Sequence, residues 1–308
     1  MKILAFSDWR TQSIQDAIEL AKREADTVDI IVYAGDDLAR FSSVGINYFS
    51  ELAKYSKAGV LLAVAGNDDS SQQKEILKGN NVRDLYDQPY VYRDVAFIGV
   101  EGSTSGPGSL RHSENALRKH LESFRRKGKT ERVVLVSHPP PYCILDSGIR
   151  FAELDAHDHH IGSKAVSDFV RTNPAVRLVI CGHCHSQGGL DERFKQALVV
   201  NVASHDGNSS EGRMAVIDLN SAGSEASVHW LSTQHLIPPD SVRNLHSVGQ
   251  IRESKLRIVG LDKISALAGC NDLFSVSEKS GLSFRFLETL QIKAEAYRDK
   301  QIVPITPL

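Results

Sequence analysis

Short apolar runs alternate with stretches of helical periodicity through the first third of the chain. KILAFSD (2–8) is a brief apolar run of strand character. Residues 12–25 follow, with apolar positions at Ile14, Ala17, Ile18 and Ala21, the spacing of one helix face. DIIVYAGD (29–36) reads as a buried strand, 45–57 as a helix, and VLLAVAGND (60–68) as a third strand. This β-α-β-α-β order is the signature of a parallel sheet covered by helices. VAFIGVEG (95–102), a helix over 113–128 opened by Ser113, RVVLVSH (132–138), a helix over 163–174 stopped by Pro174, and VRLVICGH (176–183) continue the theme. Three strand patterns without helices between them come next: ALVVNVAS, GRMAVIDL and ASVHWLS. They predict an antiparallel sheet or half-sheet. A break at IPPD (237–240) sets the expected division: a large domain over 1–232, a linker over 233–250 and a small helical module over 251–308.

The polar positions change the picture. Asp8, Asp36, Asn67, His138, His183 and His185 each close an apolar strand run. Ligands bind at the carboxyl edge of open α/β sheets. A lone Asp or Asn after a strand is usually a turn former, and a lone His there is usually solvated. Six such residues from five strands are harder to assign to turns alone. Mixed carboxylate, amide and imidazole donors suit manganese, iron or zinc, whereas calcium and magnesium favour oxygen. A pair of ions bridged by one carboxylate would clamp a phosphoryl group.

CGHCH (181–185) fits three patterns at once: a C-x-x-C-H haem site, a C-x-x-C redox or zinc pair, and G-H-x-H. Covalent haem normally follows export. MKILAFSDWR is too short for a signal-peptide core, so the expected location is the cytoplasm. No apolar run approaches a membrane span. Four cysteines in 308 residues are too few for a disulfide scaffold. A net charge of −2 gives no global field toward nucleic acid or an anionic membrane.

Taken in order, Asp8-x-Arg10, Gly35-Asp36, Gly66-Asn67-Asp68-Asp69, His138 and Gly182-His183-x-His185 resemble the calcineurin-like metallophosphoesterase superfamily, whose pattern is D-x-H, G-D, G-N-H-[DE], H, G-H-x-H. The resemblance covers residues 1 to about 232. It implies a four-layer α/β/β/α sandwich and one or two divalent ions. Asp36 would bridge, Asp8 and His185 would hold the first ion, and Asn67, His138 and His183 the second. The H-x-H of CGHCH is then the metal pair and the cysteines are passengers. HHIGSKAV (159–166) resembles a segment seen in phosphoesterases of this superfamily, which assigns substrate contact to His160 and Ser163.

Two positions depart from the pattern. Arg10 stands where a first-ion histidine belongs; it has no lone pair to give and keeps its charge, so it cannot ligate. It is expected to grip the substrate phosphate. Asp68 stands where a histidine would serve the leaving group. Either a raised pKa makes Asp68 a general acid, or a histidine of the His157–His160 run supplies the proton. The function expected is a metal-dependent phosphoesterase, most of all a phosphodiesterase. The alternative is a metal- or nucleotide-binding member without hydrolysis, acting through its C-terminal module.

In that module, VGLDKISALAG and SGLSFRFLETLQIKA resemble helix-hairpin-helix units, with Lys263 or Arg285 where a second glycine is usual. The resemblance leaves nucleic acid as a candidate partner beside a phosphate-ester substrate. The segment is only mildly basic, and the competing reading is a packing or oligomerisation module.

Overall fold

The computed structural model describes residues 1–127, 132–148, 160–204, 211–220, 226–238, 240–245 and 247–302. The chain divides into two units, Met1–Gln234 and His235–Leu308.

The first unit is built on strands β1 (Lys2–Phe6), β2 (Ile30–Tyr33), the small hairpin β3 (Ser42–Ser43) and β4 (Ile46–Asn47), then β5 (Leu61–Ala63), β6 (Val82–Asp84), β7 (Tyr90–Tyr92), β8 (Val95–Val100), β9 (Arg132–Ser137), β10 (Val176–Cys181), β11 (Leu190–Phe194), β12 (Ala197–Asn201), β13 (Arg213–Leu219) and β14 (Ala226–Ser232). Its helices are α1 (Ile14–Arg23), α2 (Tyr48–Ala53), α3 (Glu114–Lys127) and α4 (Lys164–Thr172). Two six-stranded sheets result, in the orders β14-β13-β1-β2-β5-β6 and β11-β12-β10-β9-β8-β7. The β1, β2, β5 and β6 pairings are parallel, as are those of β8, β9, β10 and β12. The three late strands are thus shared out: β12 pairs parallel with β10, while β13 and β14 extend the first sheet antiparallel beside β1.

Period-two alternation explains the layers. Ile3, Ala5, Val32 and Leu62 of the first sheet share one core with Phe97, Val134, Val136 and Ile180 of the second. Their strand neighbours Val133, Leu135 and Val179 face outward, where they pack with Leu117 and Leu121 of α3 and Val166 and Phe169 of α4. Helix α1 is capped by Ser13, whose side chain accepts from Gln15 N, and it buries Ala17, Leu20 and Ala21. The arrangement is the expected four-layer α/β/β/α sandwich.

The predicted helix over 45–57 is only Tyr48–Ala53, because residues 42–47 form the hairpin. Strand β11 escaped the pattern reading, since LDERF carries almost no buried apolar side chain.

The second unit holds α5 (Gln250–Ile258), α6 (Ile264–Ala268), α7 (Leu273–Ser280) and α8 (Phe284–Ile302) around Leu256, Leu267, Leu287 and Leu290. Val242, Leu245 and Val248, in the stretch read as a linker, are buried in this same core. Gly281 closes α7 in the left-handed conformation, at φ 65°. No helix among the described residues is long and apolar enough to cross a membrane.

Candidate metal centre

Each sequence-predicted ligand follows a strand end. Asp8 follows β1, Asp36 follows β2, Asn67 follows β5, His138 follows β9, and His183 and His185 follow β10. The parallel order places all these ends at one edge, where the two sheets meet. One ligating atom from each of Asp8, Asp36 and His138 lies within 4.8 Å of the others, and all three residues are buried.

The backbone turns sharply there. Asp8, Asp36 and His183 have φ of 51°, 64° and 62°, in the left-handed region that favours glycine. Three such residues at one edge are the kind of local cost that functional sites retain. Gly66 and Gly182 let the turns close: a methyl on Gly66 would overlap Asp36 Oδ1, and one on Gly182 would overlap Ser7 Oγ and Asp8 Oδ2.

The hydrogen bonds fix which atoms face the centre. His138 Nδ1 lies 2.8 Å from the Ala34 carbonyl, so it carries the proton. In the neutral ring Nε2 then has a lone pair, and it faces Asn67 Oδ1 at 3.0 Å and Asp36 Oδ1 at 3.5 Å. Asn67 donates its amide to Pro107 O (3.0 Å) and Asp68 Oδ1 (2.8 Å), which turns Oδ1 toward His138. His183 lies beside it, with ring centroids 5.1 Å apart. Its Nε2 is buried and has no hydrogen-bond partner among the described residues. Burial pushes the His183 pKa down to about 3. Acceptors facing one another, beside an orphaned neutral imidazole nitrogen, are the surroundings a divalent cation satisfies. The donors present fit such an ion.

Asp8 has a different environment. Its Oδ1 accepts from His185 Nε2 at 2.9 Å, and its Oδ2 accepts from Ser7 Oγ (2.5 Å) and His183 N (3.2 Å). Burial alone would raise the Asp8 pKa, but the hydrogen bond and charge of His185 hold it well below the usual carboxylate range. Asp36 is pushed the other way, well above that range, by burial and by the charges of Asp8 and Asp68.

Arg10 is the fixed cation of the site. Its Nε donates to Asp37 Oδ2 at 3.0 Å and its Nη2 to Asp68 Oδ2 at 2.7 Å, and Nη2 lies 3.6 Å from Asp36 Oδ2. The two departures from the family pattern thus touch each other. Asp68 meets two donors, Arg10 and the Asn67 amide, which suits an acceptor rather than a proton donor.

His160 and Ser163 belong to a neighbouring segment. His160 Nδ1 bonds the buried Asp146 at 2.7 Å, and its bridge partner Ser147 accepts from Ser186 Oγ at 2.6 Å, beside His185. Ser163 is buried, caps α4 through Val166 N, and donates to Glu114 at 3.0 Å. That hydroxyl holds two helices together. His157 and His159 lie outside the described residues.

Sequence reasoning missed Asp37 and Tyr33, and it gave Asp69 no role of its own beyond its place in the G-N-D-D motif. Asp69 turns inward and accepts from Leu38 N (2.9 Å) and Gly66 N (2.8 Å), tying two ligand-bearing turns together. Burial, then the Asp36 charge, pushes its pKa up to about 7. The buried Tyr33 donates to the Asp36 carbonyl and accepts from Trp9 N at 3.5 Å. The run of adjacent acids in GDD and NDD was the available signal for Asp37 and Asp69.

The comparisons with known proteins agree with this geometry. The family model described as calcineurin-like phosphoesterase matches residues 1–187. One solved crystal structure aligns at TM-score 0.54 with 17% identity, covering 74% of this chain and 98% of its own. TT1561 of Thermus thermophilus aligns at TM-score 0.48 with 15% identity, covering 74% and 97%. A structure described as a novel archaeal phosphodiesterase aligns at TM-score 0.36 with 17% identity, covering 75% and 100%. No curated protein matches the chain at a significant level. The strand-end motifs, the two-sheet sandwich and the family match over more than half its length agree: the chain belongs to the calcineurin-like phosphoesterase family.

Proposed function

We infer that this protein is a metal-dependent phosphoesterase whose substrate is a phosphodiester. The observation that carries the reading is the convergence of His138 Nε2, Asn67 Oδ1 and Asp36 Oδ1, with the orphaned His183 Nε2 beside them. When bound, a divalent ion supplies Lewis-acid polarisation of the phosphoryl group and a nucleophile at neutral pH. Asp36, Asn67, His138 and His183 would hold it, and manganese, iron and zinc suit that donor set. Asp8 and His185 would stand beside it.

The chain's own residues do the rest. Arg10 Nη1 has no hydrogen-bond partner among the described residues and is the donor left to orient a phosphate oxygen. Asp37 and Asp68 hold the guanidinium in place. His160, oriented by Asp146, contacts the substrate from the neighbouring segment, with Ser163 fixing the helix behind it. Charge favours a diester. Asp36, Asp37 and Asp68 surround the single guanidinium, so a monoanionic diester meets less repulsion than a dianionic monoester.

The test is a panel of aryl phosphodiesters and monoesters with added manganese, run beside Asp36→Ala and Asn67→Ala. The reading expects diester turnover in the native protein that both substitutions abolish. Bound metal with no turnover on any ester would replace it with the non-hydrolytic reading, which the aspartate in place of the leaving-group histidine favours.

A further inference from the structure

The family pattern pairs two ions, and the two sides of this edge differ. On one side, Asp36 Oδ1, Asn67 Oδ1 and His138 Nε2 face one another, with His183 Nε2 unpartnered. Asp36 Oδ1 also accepts from Asp68 N at 2.9 Å. On the other side the expected donors are Asp8, Asp36 Oδ2 and His185, with Arg10 where the fourth would stand. His185 Nε2 lies 2.9 Å from Asp8 Oδ1. Asp8 Oδ2 accepts from Ser7 and from the His183 backbone. Asp36 Oδ2 faces Arg10 Nη2 at 3.6 Å. A permanent cation therefore stands beside the oxygen that a bridging carboxylate would give to the other ion.

The second replaced position completes the unit. Asp68 Oδ2 accepts from the same Nη2 at 2.7 Å, and Asp37 fixes Nε at 3.0 Å. A guanidinium at position 10 with histidine at position 68 would lack this partner. An aspartate at position 68 with histidine at position 10 would leave an anion facing the phosphate. The two departures make sense together and not singly.

We propose that the centre holds one divalent ion, at Asp36, Asn67, His138 and His183, and that the Arg10 guanidinium, held by Asp68 and Asp37, stands in place of the second. This deepens the phosphoesterase reading and rests on it for its chemistry, though not for its test. The guanidinium offsets the charge of Asp36 and keeps Nη1 for a phosphate oxygen. It has none of an ion's capacity to activate water.

The experiment is metal stoichiometry. The full chain is stripped with a chelator, reloaded with manganese and desalted. Metal per chain is measured by mass spectrometry, and the electron paramagnetic resonance spectrum shows whether ions are spin-coupled. The native protein is expected to hold one manganese with the spectrum of an isolated ion. Arg10→His/Asp68→His is expected to hold two, coupled, and Arg10→Lys, which keeps the charge, to stay at one. Two coupled ions in the native protein, or none, would overturn the proposal. So would a folded double variant that gains no second ion. The outcomes separate this inference from the functional one: one ion without turnover sinks hydrolysis alone, and turnover with two coupled ions sinks the built-in cation alone.

Discussion

Asn67 shows how one amide is oriented by its neighbours. Its Nδ2 is held by Pro107 O and Asp68 Oδ1, so its oxygen has one direction left, toward His138. Asn67→Ala should lower manganese affinity by more than about tenfold, measured by titration of the stripped protein. Asp69 acts one step behind the ligands. Asn at this position can accept from only one of Leu38 N and Gly66 N and would aim an NH2 at the other. Asp69→Asn is expected to cost about 1–3 kcal/mol in chemical denaturation and to weaken metal binding by about 10- to 100-fold. Unchanged denaturation midpoints would show that the two turns hold without it. Arg10 works by charge. Its Nη2 lies 3.6 Å from Asp36 Oδ2, the oxygen a bridging carboxylate would turn to a second ion. The strand-end residues were legible from sequence because each one closes an apolar run. The inward turn of Asp69 and the contact between Arg10 and Asp68 were not, since 58 residues separate that pair along the chain.

At the scale of elements, the turns after β1 and β2 rest on an aromatic layer. Phe6 packs edge-on to Trp9 and Tyr33, with centroids 5.6 and 4.9 Å away, and Phe41 stacks on Phe49 at 4.4 Å. Tyr33 links this layer to the turns through the Asp36 carbonyl and Trp9 N. Tyr33→Phe leaves that buried carbonyl without its hydroxyl donor and should cost about 1–3 kcal/mol, read by thermal or chemical unfolding. Gly182→Ala should be more damaging, because the methyl enters the space of Ser7 and Asp8. Loss of metal by a variant that still folds would place its effect in the turn; full retention would show that the turn relaxes. The parallel strands and their helices were legible because hydrophobic period and length agree in each. Strand β11 was hidden by its exposed LDERF, and the antiparallel pairing of β13 with β1 lies more than 200 residues apart in sequence, beyond any local pattern.

Across the whole molecule, every candidate ligand and both sandwich cores belong to Met1–Gln234. A chain ending at Gln234 should therefore fold cooperatively and bind manganese as the full chain does. Failure to fold would show that the sandwich depends on residues 235–308. The second unit has its own apolar core, which Val242, Leu245 and Val248 join from a stretch that composition alone marks as a break. Pro and Asp in IPPD signal a turn, but the apolar residues spaced three apart beyond it carried the packing.

The most direct test of the account is reconstitution. The full chain is stripped of metal, and aryl phosphodiester turnover is followed as manganese is added back, with His183→Ala alongside. The account predicts no turnover without metal, recovery that saturates with bound manganese, and neither tight binding nor recovery in the variant. Turnover that survives complete stripping, or that His183→Ala leaves intact, would contradict it.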